Sequence, residues 1–287
     1  MIEFWIVLTG ILVGITCGLT GVFLILRKLA MIADAISHTV LFGMVMAFII
    51  TQSLSGVWML IGAAIAGIIT AYLVQVLQTS GIQKDAAIGV TFTSLFALGV
   101  LFITLFAADV HLDVEHVLMG EIAFVPWDTW TIFSLTMPKA VWMLGIVLVI
   151  NIAFLVLFFK ELKLTTFDPI YAATIGLPVV LIHYSFMTTI SLTTVSTFDS
   201  VGAILVIAML IGPAATAYLI SRSITQMFLW SMSFGVMAAI FGYYVAKYWD
   251  TSISGMMATA VGFIFIVVFI IDKIRQKQIK KSMVSVR

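Results

Sequence analysis

Long apolar runs separated by short polar connections set the pattern of this chain. They fall at about 5–26, 30–51, 57–78, 87–107, 136–159, 177–196, 201–220, 225–246 and 253–272. A helix crosses the hydrocarbon layer with about 20 apolar residues, so each run is long enough to span it. The pattern predicts an all-α integral membrane protein, a polytopic bundle of about nine transmembrane helices. Residues 108–127 fit less well, because a short apolar stretch follows an acidic one. They are expected to form an outer loop leading into a half-helix or re-entrant segment, which membrane depth tolerates only when protein shields it. Residues 1–272 read as one transmembrane domain and 273–287 as a basic tail.

Small residues recur within the runs. Gly10, Gly14 and Gly18 stand four apart in the first, with Gly21 beyond. That spacing makes a flat ridge on which a second helix can lie closely. The run from Val201 repeats the theme with Gly202, Gly212, Ala214, Ala215 and Ala217, and Pro213 is expected to kink it. The prediction is a tight bundle.

The longest polar connection on the basic side is KELKLTTFDPIYAATIGLP, residues 160–178. Asp168 suits an N-cap and Pro169 the first helical position, while Gly176 and Pro178 form a stop. A helix of about two turns is predicted from Pro169 to Ile175, lying outside the bilayer. Ile170 and Tyr171 could dock into a groove, and Ala172 and Ala173 permit close approach. Such a helix fits either a handle for a partner or a plain connector.

Charge adds orientation. Arg27, Lys28, Lys84, Lys160, Lys163, Arg222 and the tail fall on alternate connections, so twelve of the fourteen basic residues share one side. Only Lys139 and Lys247 lie opposite. Basic connections face the cytoplasm, which puts the N-terminus outside and the C-terminus inside. Asp109, His111, Asp113, Glu115, His116, Asp128 and Asp250 then face outward, a balance suited to gathering cations or simply a set of solvated loops.

Composition narrows the class. The chain of 287 residues is 63% hydrophobic and 9% charged, with mean hydropathy +1.23. A water-soluble domain of that composition could not cover its surface. The net charge of +1 gives no sign of a nucleic-acid partner. The single cysteine, Cys17, excludes an internal disulfide or a thiolate cluster and reads as a packing residue. The first run lacks a basic leader and carries Glu3, so it is expected to stay as a membrane helix.

Ionisable groups within the runs carry the candidate chemistry. Asp34 and His38 stand four apart in MIADAISHTVLFGMVMAFII and so share one helix face. Charge at membrane depth is expensive and marks a functional pair or a buried salt bridge. Oxygen and nitrogen donors on one face suit Mn(II), Fe(II) or Zn(II). Glu121, beside Gly120, and His183, near the start of the sixth run, could complete a four-group site if the helices converge. A lone histidine such as His183 is more often a packing residue. Asp199 lies near an outer helix end. Ser37 and Ser200 could hold the ligands by hydrogen bonds.

Four segments then match a known family in order. LRKLAMIADAISHTVLFG (Leu26–Gly43) resembles the second-helix motif of the manganese/zinc/iron permeases of ABC transporters. HVLMGEIAF (His116–Phe124) is similar to that family's Gly–acidic motif, FDPIYAATIGLP (Phe167–Pro178) to its coupling-helix segment, and VGAILVIAMLIGPAATA (Val201–Ala217) to its late Gly/Pro/Ala helix. Phe42 departs from the pattern, since many members have proline there. The resemblance implies a permease subunit, not itself an enzyme, in the cell membrane of a bacterium. It implies a homodimer or paralogous heterodimer, two cytoplasmic ATP-binding subunits and an extracytoplasmic metal-binding protein. Asp34, His38, Glu121 and His183 would lie on the metal path, with Mn(II) or Zn(II) as cargo and no permanently bound cofactor. Asp168, Pro169, Ile170, Tyr171, Ala172 and Gly176 would belong to the ATPase-coupling helix. The Asp-x-x-Ser-His spacing leans towards manganese. GxxxxGK[ST] is absent, so ATP would be hydrolysed on a separate chain. Two rivals are an intramembrane metal-dependent hydrolase, for which HExxH is lacking, and a secondary transporter, against which the capped helix argues.

Overall fold

A computed structural model describes residues 2–52, 56–106, 122–132 and 135–285. In chain order the elements are α1 (Ile2–Leu26), α2 (Ala30–Thr51), α3 (Gly56–Thr79), α4 (Lys84–Phe106), a 3-10 turn (Ile122–Trp127), β1 (Thr129–Ile132), β2 (Leu135–Pro138), α5 (Lys139–Leu157), α6 (Phe159–Phe167), α7 (Pro169–Thr174), α8 (Val179–Val201), α9 (Ala203–Ile220), α10 (Ile224–Trp249) and α11 (Ile253–Ser285). Among the described residues, nine helices are long and apolar enough to cross a membrane. They coincide with the nine runs.

α1 is the axis of the bundle. Some 72% of its apolar window is buried, against 22% for α5 and 17% for α11, which form the rim. Its glycine ridge explains the position. A Cβ on Gly14 would stand 2.7 Å from the backbone of Gly235 in α10, and one on Gly18 3.1 Å from the Ser231 carbonyl. The Ser231 hydroxyl donates to the Gly18 carbonyl at 2.7 Å, tying the same two helices. Gly10 abuts Met257 and Ala239, and Gly21 meets the Leu210 carbonyl of α9. Without side chains at these places the helices approach backbone to backbone, which maximises dispersion contact where lipid supplies no hydrophobic drive. The same device joins α2 to α3 through Gly43 and Gly62.

Several boundaries differ from the sequence expectation. The fifth run starts at Lys139 instead of 136, because β1 and β2 pair antiparallel just before it, with Thr129 opposite Pro138. Their alternating threonines and aromatics favour extended chain. Of the expected re-entrant stretch, only Ile122–Trp127 is described, as one short 3-10 turn. α11 continues as helix into the basic tail, as far as Ser285. Gly202 is less a packing residue than a break, with φ 80° and ψ 164° between α8 and α9; that region is essentially closed to other residues. Pro213 lies buried inside α9, leaving the Met209 carbonyl without its usual amide partner.

The connection from residue 158 to 178 holds two short helices. α6 was not foreseen. α7 is the predicted capped helix: the Tyr171 amide donates to Asp168 Oδ1 at 2.9 Å, and Gly176 closes the turn at φ +85°. Ile170 is 78% exposed and Tyr171 53%, whereas Ala172 is buried. The helix therefore offers an apolar side chain outward and seats itself by a small one.

Gly14→Val should force α1 and α10 apart and destabilise the chain by about 1–3 kcal/mol. Gly145→Ala in α5, where an added Cβ meets nothing within 4 Å, should be neutral or gain up to about 1 kcal/mol from helix propensity. Thermal unfolding midpoints in detergent should fall for the first and hold or rise for the second.

Candidate functional site

The chain turns sharply between α1 and α2. Lys28 takes a left-handed conformation, φ 57°, and the Leu29 amide donates to the Leu24 carbonyl at 2.9 Å. α2 starts at Ala30, so Asp34 falls in its second turn and His38 one turn further. Their side chains stand together, His38 Nε2 to Asp34 Oδ1 at 3.7 Å, each 35% exposed. That distance exceeds a good hydrogen bond, so neither donor atom is consumed by the other. Two ligands at about 2.1 Å from a tetrahedral ion lie about 3.4 Å apart. The pair is close to the bite that a single ion requires.

α4 furnishes the wall. The His38 ring stacks on Phe92 with centroids 5.5 Å apart and meets Phe96 edge-on at 6.2 Å. These rings fix the imidazole plane from two sides. On the opposite flank of α2, Ile32 and Ile36 are buried, and Ile36 reaches the region of Gly67 and Ser191. Ser37 is also buried, and its hydroxyl donates to the Ala33 carbonyl at 3.1 Å. Ser200 likewise donates to the Ser196 carbonyl at 3.2 Å. Both hydroxyls donate their proton within their own helices.

The other two expected ligands stand differently. Glu121 lies outside the described residues. His183 faces a different space, a cavity of about 530 Å³ lined also by Arg27, Leu29, Ile32, Lys84, Thr165 and Thr166. Ile32 and Asp34 are two residues apart, about 200° around a helix, so His183 addresses the flank turned away from the pair. Among the described residues no three His, Cys, Asp or Glu side chains gather as a metal site. Of the three expected groups among the described residues, Asp34 and His38 stand together and His183 lies apart.

Arg27, at first sight only a marker of orientation, has a structural part. Nε donates to Thr166 Oγ1 at 2.9 Å and Nη2 to Thr165 Oγ1 at 2.7 Å. Its guanidinium also lies 5.0 Å from the centre of the Phe186 ring. Burial pushes it down to about 10, so it keeps its charge at neutral pH. It ties the α1–α2 turn, from which the Asp34 helix starts, to α6 and hence to the exposed α7. The signal available in the sequence was an arginine beside two threonines of the longest basic-side connection, too diffuse to read without the fold.

Comparison with known proteins agrees with this architecture. Residues 2–272 match the ABC 3 transport family. The chain is 55% identical over 261 residues to the manganese transport system membrane protein MntD of Bacillus subtilis, covering 91% of this chain and 88% of that one. It is 41% identical over 266 residues to the zinc transport system membrane protein TroD of Treponema pallidum, covering 92% and 72%. Among solved structures, PsaBC from Streptococcus pneumoniae in complex with Fab superposes with a TM-score of 0.77 at 32% identity, over 92% of this chain and 90% of that one. With the family matched over nearly the whole length and the helical bundle in place, the chain belongs to the ABC 3 transport family of membrane permeases.

Proposed function

We propose that this chain is the membrane-spanning subunit of an ATP-driven importer of Mn(II), with Asp34 and His38 as ligands on the ion's path. The observation that carries it is the pair itself, a carboxylate and an imidazole at ligand spacing on an otherwise apolar helix. The manganese assignment is supported by the 55% identity to MntD and by further relatives named for manganese, among them MntC of Halalkalibacterium halodurans at 40% identity. Zinc is the second reading, favoured by the likeness to TroD and by a donor set that suits both ions.

The basic ends of the helices face the cytoplasm in this proposal, with the N-terminus outside. An extracytoplasmic metal-binding protein delivers the ion to the acidic face. Asp34 supplies anionic oxygen and His38 a neutral nitrogen, while the open third of each side chain leaves room for water, for Glu121 or for a second permease chain. Few protein ligands keep the affinity low enough for release. A proton on His38 removes its donor lone pair, so acid and metal compete for the site.

ATP is hydrolysed on separate cytoplasmic subunits, which dock on α7 through Ile170 and Tyr171. Asp168 keeps that helix folded by accepting the Tyr171 amide. Arg27 then passes its movement to the α1–α2 turn. Two copies of the permease, identical or paralogous, with two ATP-binding subunits complete the transporter.

In cells depending on this chain for manganese, Asp34→Asn or His38→Ala should reduce radiolabelled Mn(II) uptake at least tenfold with the protein still in the membrane. Uptake at the wild-type rate by either variant overturns the site. Excess zinc that abolishes manganese uptake, with zinc itself accumulated faster, favours the second reading.

Ile170→Glu should abolish copurification of the ATP-binding subunit. Asp168→Ala, which loses a cap worth about 1 kcal/mol, should weaken it. Unchanged copurification in both removes α7 from the coupling assignment.

A further inference from the structure

The cavity on the far flank of α2 has the wrong charge for a cation. Arg27, Lys84 and His183 line it together with Gln75, Gln78 and Thr79, and no carboxylate among the described residues does. Neither Arg27 nor Lys84 is within ion-pair distance of an acid among the described residues. Asp85, the carboxylate next in sequence to Lys84, is exposed and does not line the cavity.

Donors remain unspent. The protein acceptors of Arg27 take Nε and Nη2, which leaves Nη1 without one among the described residues. Lys84 Nζ donates once, to the Lys28 carbonyl at 2.6 Å, and holds two more N–H groups. Arg27 ends α1, Lys84 starts α4, and His183 is one turn into α8, so the cavity sits at the level where helices leave the hydrocarbon. A planar guanidinium and a point ammonium converging there match a tetrahedral oxyanion. Basic pockets between transmembrane helices at this level bind acidic lipid headgroups.

We infer that the Arg27–Lys84–His183 cavity is an anion site that takes a phosphate group, supplied by an anionic phospholipid headgroup of the adjoining leaflet. The volume of about 530 Å³ admits a phosphodiester with its glycerol. The acyl chains would lie along the exposed apolar side chains of Val180 and Leu181. The assignment rests on the placement of this end at the headgroup level, and on neither the metal nor the ATPase. Because Arg27 also holds Thr165 and Thr166, a bound phosphate would stiffen the link between the α1–α2 turn and α7.

The test uses the intact transporter, delipidated in detergent and mixed with phosphatidylglycerol, phosphatidylcholine or inorganic phosphate. Native mass spectrometry counts retained lipid, and thermal unfolding reports stabilisation. Phosphatidylglycerol should be retained over phosphatidylcholine, and Lys84→Gln should weaken retention about fivefold. Arg27→Gln should weaken it further; because Arg27 also braces the fold, the partly exposed Lys84 carries the decision. Stabilisation by millimolar inorganic phosphate, lost in Lys84→Gln but not matched by lipid, supports the anion site and names a free phosphate as its source. Equal retention of both lipids without a phosphate effect, or wild-type retention of phosphatidylglycerol by Lys84→Gln, overturns it. Absence of ATP-driven manganese uptake leaves this result untouched, so the two readings fail separately.

Discussion

A hydrocarbon layer about 30 Å thick offers no water to a backbone amide and none to a charged side chain. Both consequences run through this chain. The first makes every spanning segment a helix, with each amide satisfied within its own segment. The second drives lysine and arginine to the helix ends and leaves Asp34 and His38 as exceptions that need a reason. Association between the helices must come from contact alone, because lipid is as apolar as leucine. The glycines of α1 answer that need: where Gly14 meets Gly235 and Gly18 meets Ser231, the backbones touch. Central α1 in turn fixes the turn at Arg27 and the start of α2.

The two sides of α2 then serve opposite charges. One flank carries a carboxylate and an imidazole at 3.7 Å, walled by aromatic rings. The other, beyond Ile32 and Ile36, opens on a cavity with a guanidinium, an ammonium and a second imidazole. In the proposed function a divalent cation binds on the first flank, and the basic lining of the second opposes it. His183 belongs to the repelling side of this helix. The separation follows from helical geometry, since residues two apart point nearly opposite ways.

Much of this was legible in the sequence. Nine runs of the right length gave nine helices among the described residues, because span length is set by bilayer thickness and depends little on neighbours. The α7 helix was readable from Asp168, Pro169 and Gly176, since capping is local chemistry. The Asp34–His38 face was readable from a spacing of four. The strand pair β1–β2 was missed because the residues of β2 are apolar enough to pass for the start of a span. α6 was missed because FKELKLTTF has the composition of a connector. Above all, whether His183 meets Asp34 depends on which flank of α2 meets α8, a tertiary fact that no local pattern encodes. Arg27 illustrates the same limit, as its threonine acceptors lie more than 130 residues away.

The central claim is that manganese meets the nitrogen of His38 within the membrane. Pulsed electron paramagnetic resonance of Mn(II) bound to the purified transporter tests it directly, because an imidazole ligand couples its nitrogen spin to the metal. The account predicts a nitrogen coupling that disappears in His38→Gln and survives in His183→Gln. A bound ion with no nitrogen coupling, or a coupling that persists without His38, would contradict it.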